Sequence, residues 1–253
     1  MIHKYFSING GGFSIRCKLY CSKPESIRKV VIFGHGFSGH KDNRAAEKFS
    51  ERMLKRHPEA AVIVFDWPCH GDDAKGKLRL DDCGGYLAAV IDYVKSRYKT
   101  DELYACATSF GGYLVLKYIH DNGEPFRRVA LRCPAVCMHK VMVDSIIGDR
   151  DMAAIAKGKP ALVGFDRKVK ITKAFLDEIE AADITAYDYS SYAGDIFIVH
   201  GTKDEIVPFE ISRDFAEKNG VSFAAIEAAD HRFCDPDKMD EAIDKMLTFL
   251  GLN

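Results

Sequence analysis

The chain has no excess of charge of either sign. Its 36 lysines and arginines stand against 37 aspartates and glutamates, a formal net charge of −1, with no long run of one sign. That balance builds no broad field for a nucleic acid or an anionic membrane, so neither is expected as a partner. Long apolar runs are missing as well. The opening Met1-Ile2-His3-Lys4-Tyr5-Phe6-Ser7 lacks the roughly seven or more apolar residues of a secretory signal, and no later window could span a bilayer. A cytoplasmic protein without membrane insertion is the expectation. Cys17/Cys21 and Cys133/Cys137 are each spaced by four, but neither has a second Cys/His pair at zinc-finger spacing, so no metal is expected. Without an export signal, the eight cysteines read as reduced thiols rather than a disulfide framework. Repeats, low-complexity tracts and Pro/Gly/Ser linkers are also absent, which favours one core for the 253 residues.

What is present is a rhythm. Hydrophobic residues make up 47% of the chain, enough to fill a folded interior of this size. Short, β-branched-rich apolar runs occur at 30–33, 61–65, 103–107, 129–131 and 196–199, as expected of strands buried on both faces of a parallel sheet. Amphipathic stretches near 44–56, 82–97, 110–121, 208–219 and 236–251 fall between and after them. This alternation predicts an α/β fold with a mostly parallel twisted sheet and helices on both faces.

Two regions depart from it. Residues 3–21 alternate loosely around Asn9-Gly10-Gly11-Gly12, which predicts an antiparallel hairpin at the sheet edge. Residues 134–188 are too long for an ordinary connection and predict a small inserted lid on a core formed by 1–133 and 189–253. Within the insert, Ala161–Phe165 and Lys168–Ile171 flank Asp166-Arg167 as a second hairpin, and Thr172 is placed to cap a helix carrying Phe175, Leu176 and Ile179 on one face. An insertion merely packed on the sheet is the alternative.

The strongest chemical signal is Ala107-Thr108-Ser109-Phe110-Gly111-Gly112, which follows a strand and opens a helix. A nucleophile elbow requires that setting, with small residues two before and two after the serine; here Ala107 replaces the usual first glycine. A serine hydroxyl needs a positioned base, itself oriented by a carboxylate. Asp204, in Gly201-Thr202-Lys203-Asp204, and His231, in Ala229-Asp230-His231-Arg232-Phe233, lie beyond predicted strands in the order Ser, Asp, His. Parallel sheets place their sites at such strand ends. Asp204 could instead cap the helix beginning near Pro208, with Glu205 a possible substitute, and His231 could be a surface residue.

The loop Gly34-His35-Gly36-Phe37-Ser38-Gly39 supplies the backbone amide of Phe37, which with that of Phe110 forms a candidate oxyanion hole. His35 reads as a loop-packing residue. Asp66-Trp67-Pro68-Cys69-His70-Gly71-Asp72 reads as a structural turn near the site.

With these elements the sequence resembles the serine α/β-hydrolase superfamily over nearly its whole length. The His-Gly-Phe-Ser-Gly start, the modest insert and the Ala-Asp-His-Arg-Phe ending are similar to small bacterial carboxylesterases of the cinnamoyl/feruloyl type. The resemblance implies an α/β-hydrolase fold and a serine esterase acting through an acyl-enzyme on a small-molecule ester, aromatic or short-chain, without metal or organic cofactor. In that group the insert is a lid whose apolar side accepts part of the substrate. Val141, Met142, Ile146, Ile147, Phe165 and Phe175 are therefore candidates to line an acyl pocket, or to form the insert's own core. Thioesterase, peptidase or acyltransferase chemistry on the same residues and a non-catalytic ligand-binding protein are the alternatives, while dehalogenases and epoxide hydrolases want a carboxylate where Ser109 stands. A homo-oligomer is compatible with the sequence.

Overall fold

A computed structural model describes residues 1–10, 12–73, 76–100, 102–165 and 167–253. The chain opens with β1 (Ile2–Gly10) and β2 (Phe13–Cys21), paired antiparallel in the register Ile2 to Cys21 through Gly10 to Phe13. Gly11, in the predicted turn, lies outside the described residues, as does Asp166 of the second predicted hairpin. Next come β3 (Lys29–Gly34), α1 (Arg44–Arg56), β4 (Ala60–Phe65), α2 (Leu80–Tyr98), β5 (Glu102–Thr108), α3 (Phe110–Asn122) and β6 (Arg128–Arg132). The insert contributes α4 (Met138–Val141), α5 (Asp149–Ala156), β7 (Ala161–Val163), β8 (Val169–Ile171) and α6 (Lys173–Ala181). The chain finishes with β9 (Ile196–Gly201), α7 (Phe209–Asn219), β10 (Ser222–Ile226) and α8 (Pro236–Leu250).

Eight strands form one sheet in the order β1-β2-β4-β3-β5-β6-β9-β10. All neighbours from β4 to β10 are parallel, and the predicted hairpin occupies one edge. This is the α/β-hydrolase fold. The β-branched runs explain it: every residue of β4 is buried, because both of its faces are covered. Ala61, Ile63 and Phe65 point into the layer that includes α2 and α3, while Ala60, Val62 and Val64 meet Phe49 and Met53 of α1 and the buried face of α8. From β3 the chain steps to β4 on one side and returns to β5 on the other, so the crevice at this switch point opens between the loops leaving β3 and β5.

The insert packs into the same core as the sheet, with Met142, Ile155, Val163, Ile171 and Phe175 all buried. Sequence periodicity missed α4, the single π-helical turn over Met142–Ile146, α5 and the 3-10 turn at Ile184–Ala186, but anticipated β7, β8 and α6. Thr172 Oγ1 accepts from the Phe175 amide at 3.3 Å and caps α6, whose buried face carries Phe175, Leu176 and Ile179. Glu178 of α6 then accepts from the Leu80 amide at 2.8 Å, so the insert supplies the N-terminal cap that α2 lacks in its own sequence. Among the described residues no helix is long and apolar enough to cross a membrane, and no disulfide joins the cysteines.

Candidate active site

Ser109 sits where β5 turns into α3, in the left-handed region at φ 54° and ψ −118°. Such a conformation costs a non-glycine residue about 1–3 kcal/mol, so its surroundings must impose it. They do so by hydrogen bonds: the Ser109 amide donates to the Arg132 carbonyl at 3.0 Å, and its carbonyl accepts from Tyr113 and Ala135, both at 3.1 Å. Close packing completes the constraint. A Cβ on Gly111 would lie 2.6 Å from the His35 carbonyl oxygen, and one on Gly112 would lie 2.8 Å from the Pro134 Cβ. Ala107 is fully buried and accommodated.

Asp204 follows β9, and its carboxylate is wholly buried. Oδ1 accepts from the amides of Ile206 at 2.9 Å and Val207 at 2.8 Å. Oδ2 lies 2.7 Å from Nδ1 of His231 and 3.0 Å from Nε2 of His200. One oxygen thus organises the turn before α7 without capping that helix, whose N-cap is Pro208, while the other meets two imidazoles. Burial alone would raise this carboxyl, but hydrogen bonds from His200 and His231 overcome it and hold it well below the usual carboxylate range. His231 is only 9% exposed and is no surface residue. Glu205 accepts from the His231 backbone amide at 3.3 Å, and Asp230 accepts from the Cys234 amide at 2.9 Å, so neither takes the place of Asp204 beside the ring.

Ser109 and His231 line one cavity of about 490 Å³, together with Gly36, Phe37, Ile146 and Phe165. Gly36 is packed against the serine: a Cβ there would lie 3.3 Å from that of Ser109. Among the described residues, neither the Phe37 nor the Phe110 amide donates to an acceptor outside its own element. Val141 and Met142, by contrast, are packed away in the core and do not line this cavity; Ile147 and Phe175 are buried with them. His35 is 2% exposed, with Nδ1 2.8 Å from the Gly36 carbonyl and Nε2 accepting from the Trp67 amide at 3.3 Å. Burial lowers its pKa well below the histidine range and that of His70 to about 4, as fits two neutral packing residues.

Several neighbours were not legible in the sequence. Cys133, His200 and Asp204 bring ligand-type atoms within 4.8 Å of one another. The Asp204 oxygens are already committed to the four donors above, which makes the cluster a hydrogen-bonded cage rather than a cation site. Both neighbours of His200 Nε2 are acceptors, Asp204 Oδ2 and the Val207 carbonyl at 3.2 Å, so that nitrogen carries a proton. Ser38, whose φ is 65°, accepts from the Phe165 amide at 3.1 Å and donates to the Arg167 carbonyl. It thereby ties the glycine-rich loop to the connection between β7 and β8. The Arg232 guanidinium lies 4.8 Å from the ring centre of Phe165, and both residues line the cavity. Each interaction joins residues far apart in the chain, so no local pattern announces it.

Fold and site together define the class as an α/β-hydrolase. The chain belongs to the serine aminopeptidase S33 family, which matches residues 25–159, and so to the serine α/β-hydrolase superfamily. Similar solved structures include Est1E from Butyrivibrio proteoclasticus with ferulic acid bound, at TM-score 0.75 and 20% identity over 97% of this chain and 99% of that one. A putative hydrolase from Agrobacterium vitis aligns at TM-score 0.72 and 18% identity over 98% of each chain. The esterase domain of a Rhodothermus marinus protein aligns at 0.70 and 19%, again over 98% of each. No curated protein matches the sequence.

Proposed function

We propose that this protein is a cytoplasmic serine hydrolase of carboxylic esters, acting through an acyl-enzyme with Ser109 as nucleophile, His231 as base and Asp204 as its orienting carboxylate. The observation that carries the reading is the 2.7 Å pairing of His231 Nδ1 with a buried Asp204 carboxylate, on the wall of the cavity into which the strained turn at Ser109 opens. That pairing keeps the proton on Nδ1 and leaves Nε2 as the basic nitrogen. The Ser109 oxygen attacks the ester carbonyl and its proton passes to Nε2. The negative oxygen of the tetrahedral intermediate is held by the amides of Phe37 and Phe110, each such donor contributing on the order of 3 kcal/mol. Collapse breaks the ester bond as His231 protonates the departing alcohol. Water, deprotonated by the same nitrogen, then attacks the acyl-enzyme, releasing the carboxylic acid and restoring Ser109.

Residues 134–188 act as a lid over this site, with Ile146 and Phe165 facing the substrate. The Ser38 bridge to the connection between β7 and β8 supports that role. The substrate class is aromatic or short acyl esters, and the ferulic acid bound to Est1E supports the aromatic member of that pair. The family's description favours amide cleavage as a second reading, which a matched p-nitroanilide tests beside the p-nitrophenyl ester. Ser109→Ala is expected to lower turnover of p-nitrophenyl butyrate by about 10³-fold or more while its thermal unfolding stays cooperative. Undiminished turnover in a folded variant defeats the assignment.

A further inference from the structure

One charged side chain in the cavity has no partner among the described residues that explains it. Arg132, at the C-terminal end of β6 and opposite Thr108 in the sheet, is 8% exposed and lines the same cavity as Ser109. Its Nε is buried without a hydrogen-bond partner among the described residues, and its Nη1 meets only the Met239 sulfur, at 2.8 Å. The guanidinium also stands 5.2 Å from the Phe233 ring centre. A thioether and an aromatic face are weak compensation for a buried charge. Asp204 and Asp230 lie in its field, but both oxygens of Asp204 are occupied and Asp230 holds the Cys234 amide. The rim repeats the sign. Arg44 and Arg232 line the cavity against one carboxylate, Asp42, which is itself bonded to Lys18 at 2.9 Å and Tyr5 at 2.7 Å; Lys48 beside them is paired with Asp240 at 3.3 Å. In a chain of net charge −1 this is a local concentration of positive charge inside the reacting cleft.

We propose that Arg132 is the anion-recognition residue of this cavity, and that the preferred substrates are esters carrying a carboxylate or phosphate group close to the scissile bond. The inference rests on the serine hydrolase reading and narrows its substrate class. A guanidinium presents a planar fork of donors matched to two oxygens of such a group, and the dry wall around Arg132 strengthens that pairing. An apolar acyl chain would leave the charge as uncompensated as it is now.

Two matched pairs of esters test this. One sets mono-p-nitrophenyl glutarate against p-nitrophenyl hexanoate; the other sets 2-acetoxyethyl phosphate against 2-methoxyethyl acetate. The expected result is a preference of at least tenfold in kcat/KM for the anionic member of one pair, which identifies carboxylate or phosphate as the group recognised. That ratio is expected to fall at least tenfold in Arg132→Met and to survive in part in Arg132→Lys. No preference in either pair, or a preference unchanged in a folded Arg132→Met or Arg132→Gln variant, overturns the inference. Fluorophosphonate labelling of the same preparations separates the two failures, since labelled enzyme that shows no preference refutes only the anion site. If no ester is hydrolysed and Ser109 is not labelled the catalytic reading falls, and calorimetry with glutarate and with inorganic phosphate decides the anion site alone. Binding that is lost in Arg132→Met upholds it; no binding of either overturns it.

Discussion

Lys41 and Arg132 are both buried near the candidate active site, 5% and 8% exposed, and their surroundings are opposite. Lys41 Nζ reaches Asp66 at 3.1 Å and Asp72 at 2.5 Å, and its own amide donates to Asp66 at 2.6 Å. Burial alone would lower the Lys41 pKa, but these carboxylates overcome it and raise it. The result is a closed circuit that pins the loop after β3 to the turn after β4. Arg132 has a sulfur atom and an aromatic ring where Lys41 has carboxylates. A buried ion that is paired can be read as architecture, whereas one left open on a cleft wall points outward to a ligand.

The difference can be broken most forcefully on the paired side. Lys41→Met leaves the Asp66 carboxylate buried without its cation and is expected to cost about 3–5 kcal/mol in urea unfolding. A loss below about 1 kcal/mol would show that the circuit does not hold the loop. An unpaired anion gives the next effect. Glu124 Oε1 accepts from the Phe126 amide at 2.7 Å, while Oε2 is buried without a partner among the described residues, and burial pushes the carboxyl up to about 7. Since that exceeds the unfolded value of about 4.3, the stability linked to this group is complete below about pH 4 and is lost as pH rises through about 7. Glu124→Gln should therefore stabilise the protein by roughly 1–3 kcal/mol at pH 8 and by little at pH 4, after discounting for partial exposure. An equal gain at both pH values would contradict this. Arg132→Met gives the smallest effect. It orphans no carboxylate, so unfolding free energy is expected to change by less than about 1 kcal/mol, and a loss of the Lys41→Met size would reveal an ion pair at Arg132.

The sequence was most informative where chemistry follows from local pattern. Runs such as Ala61–Phe65 can be covered only in a sheet interior, and their spacing anticipated the helices between them. Ser109, Asp204 and His231 were nameable because each stands just past a strand, where a parallel sheet exposes its loops. The insert was legible only in part. Thr172 announces α6, but Met142–Ile146 carries no period that separates a π-helical turn from an α-helix. The environment of Arg132 was wholly hidden, since a missing partner is a property of three-dimensional packing. The same holds for His200, a histidine within a strand that becomes a donor to Asp204 only once β9 and the following turn are folded.

Catalysis at this site depends on a single activated hydroxyl. Intact-mass spectrometry after reaction with a fluorophosphonate measures it directly. The wild-type chain is expected to gain one phosphonyl adduct, mapped to Ser109, and Ser109→Ala none. A folded wild-type protein that remains unlabelled, or an adduct that persists in Ser109→Ala, would contradict the account.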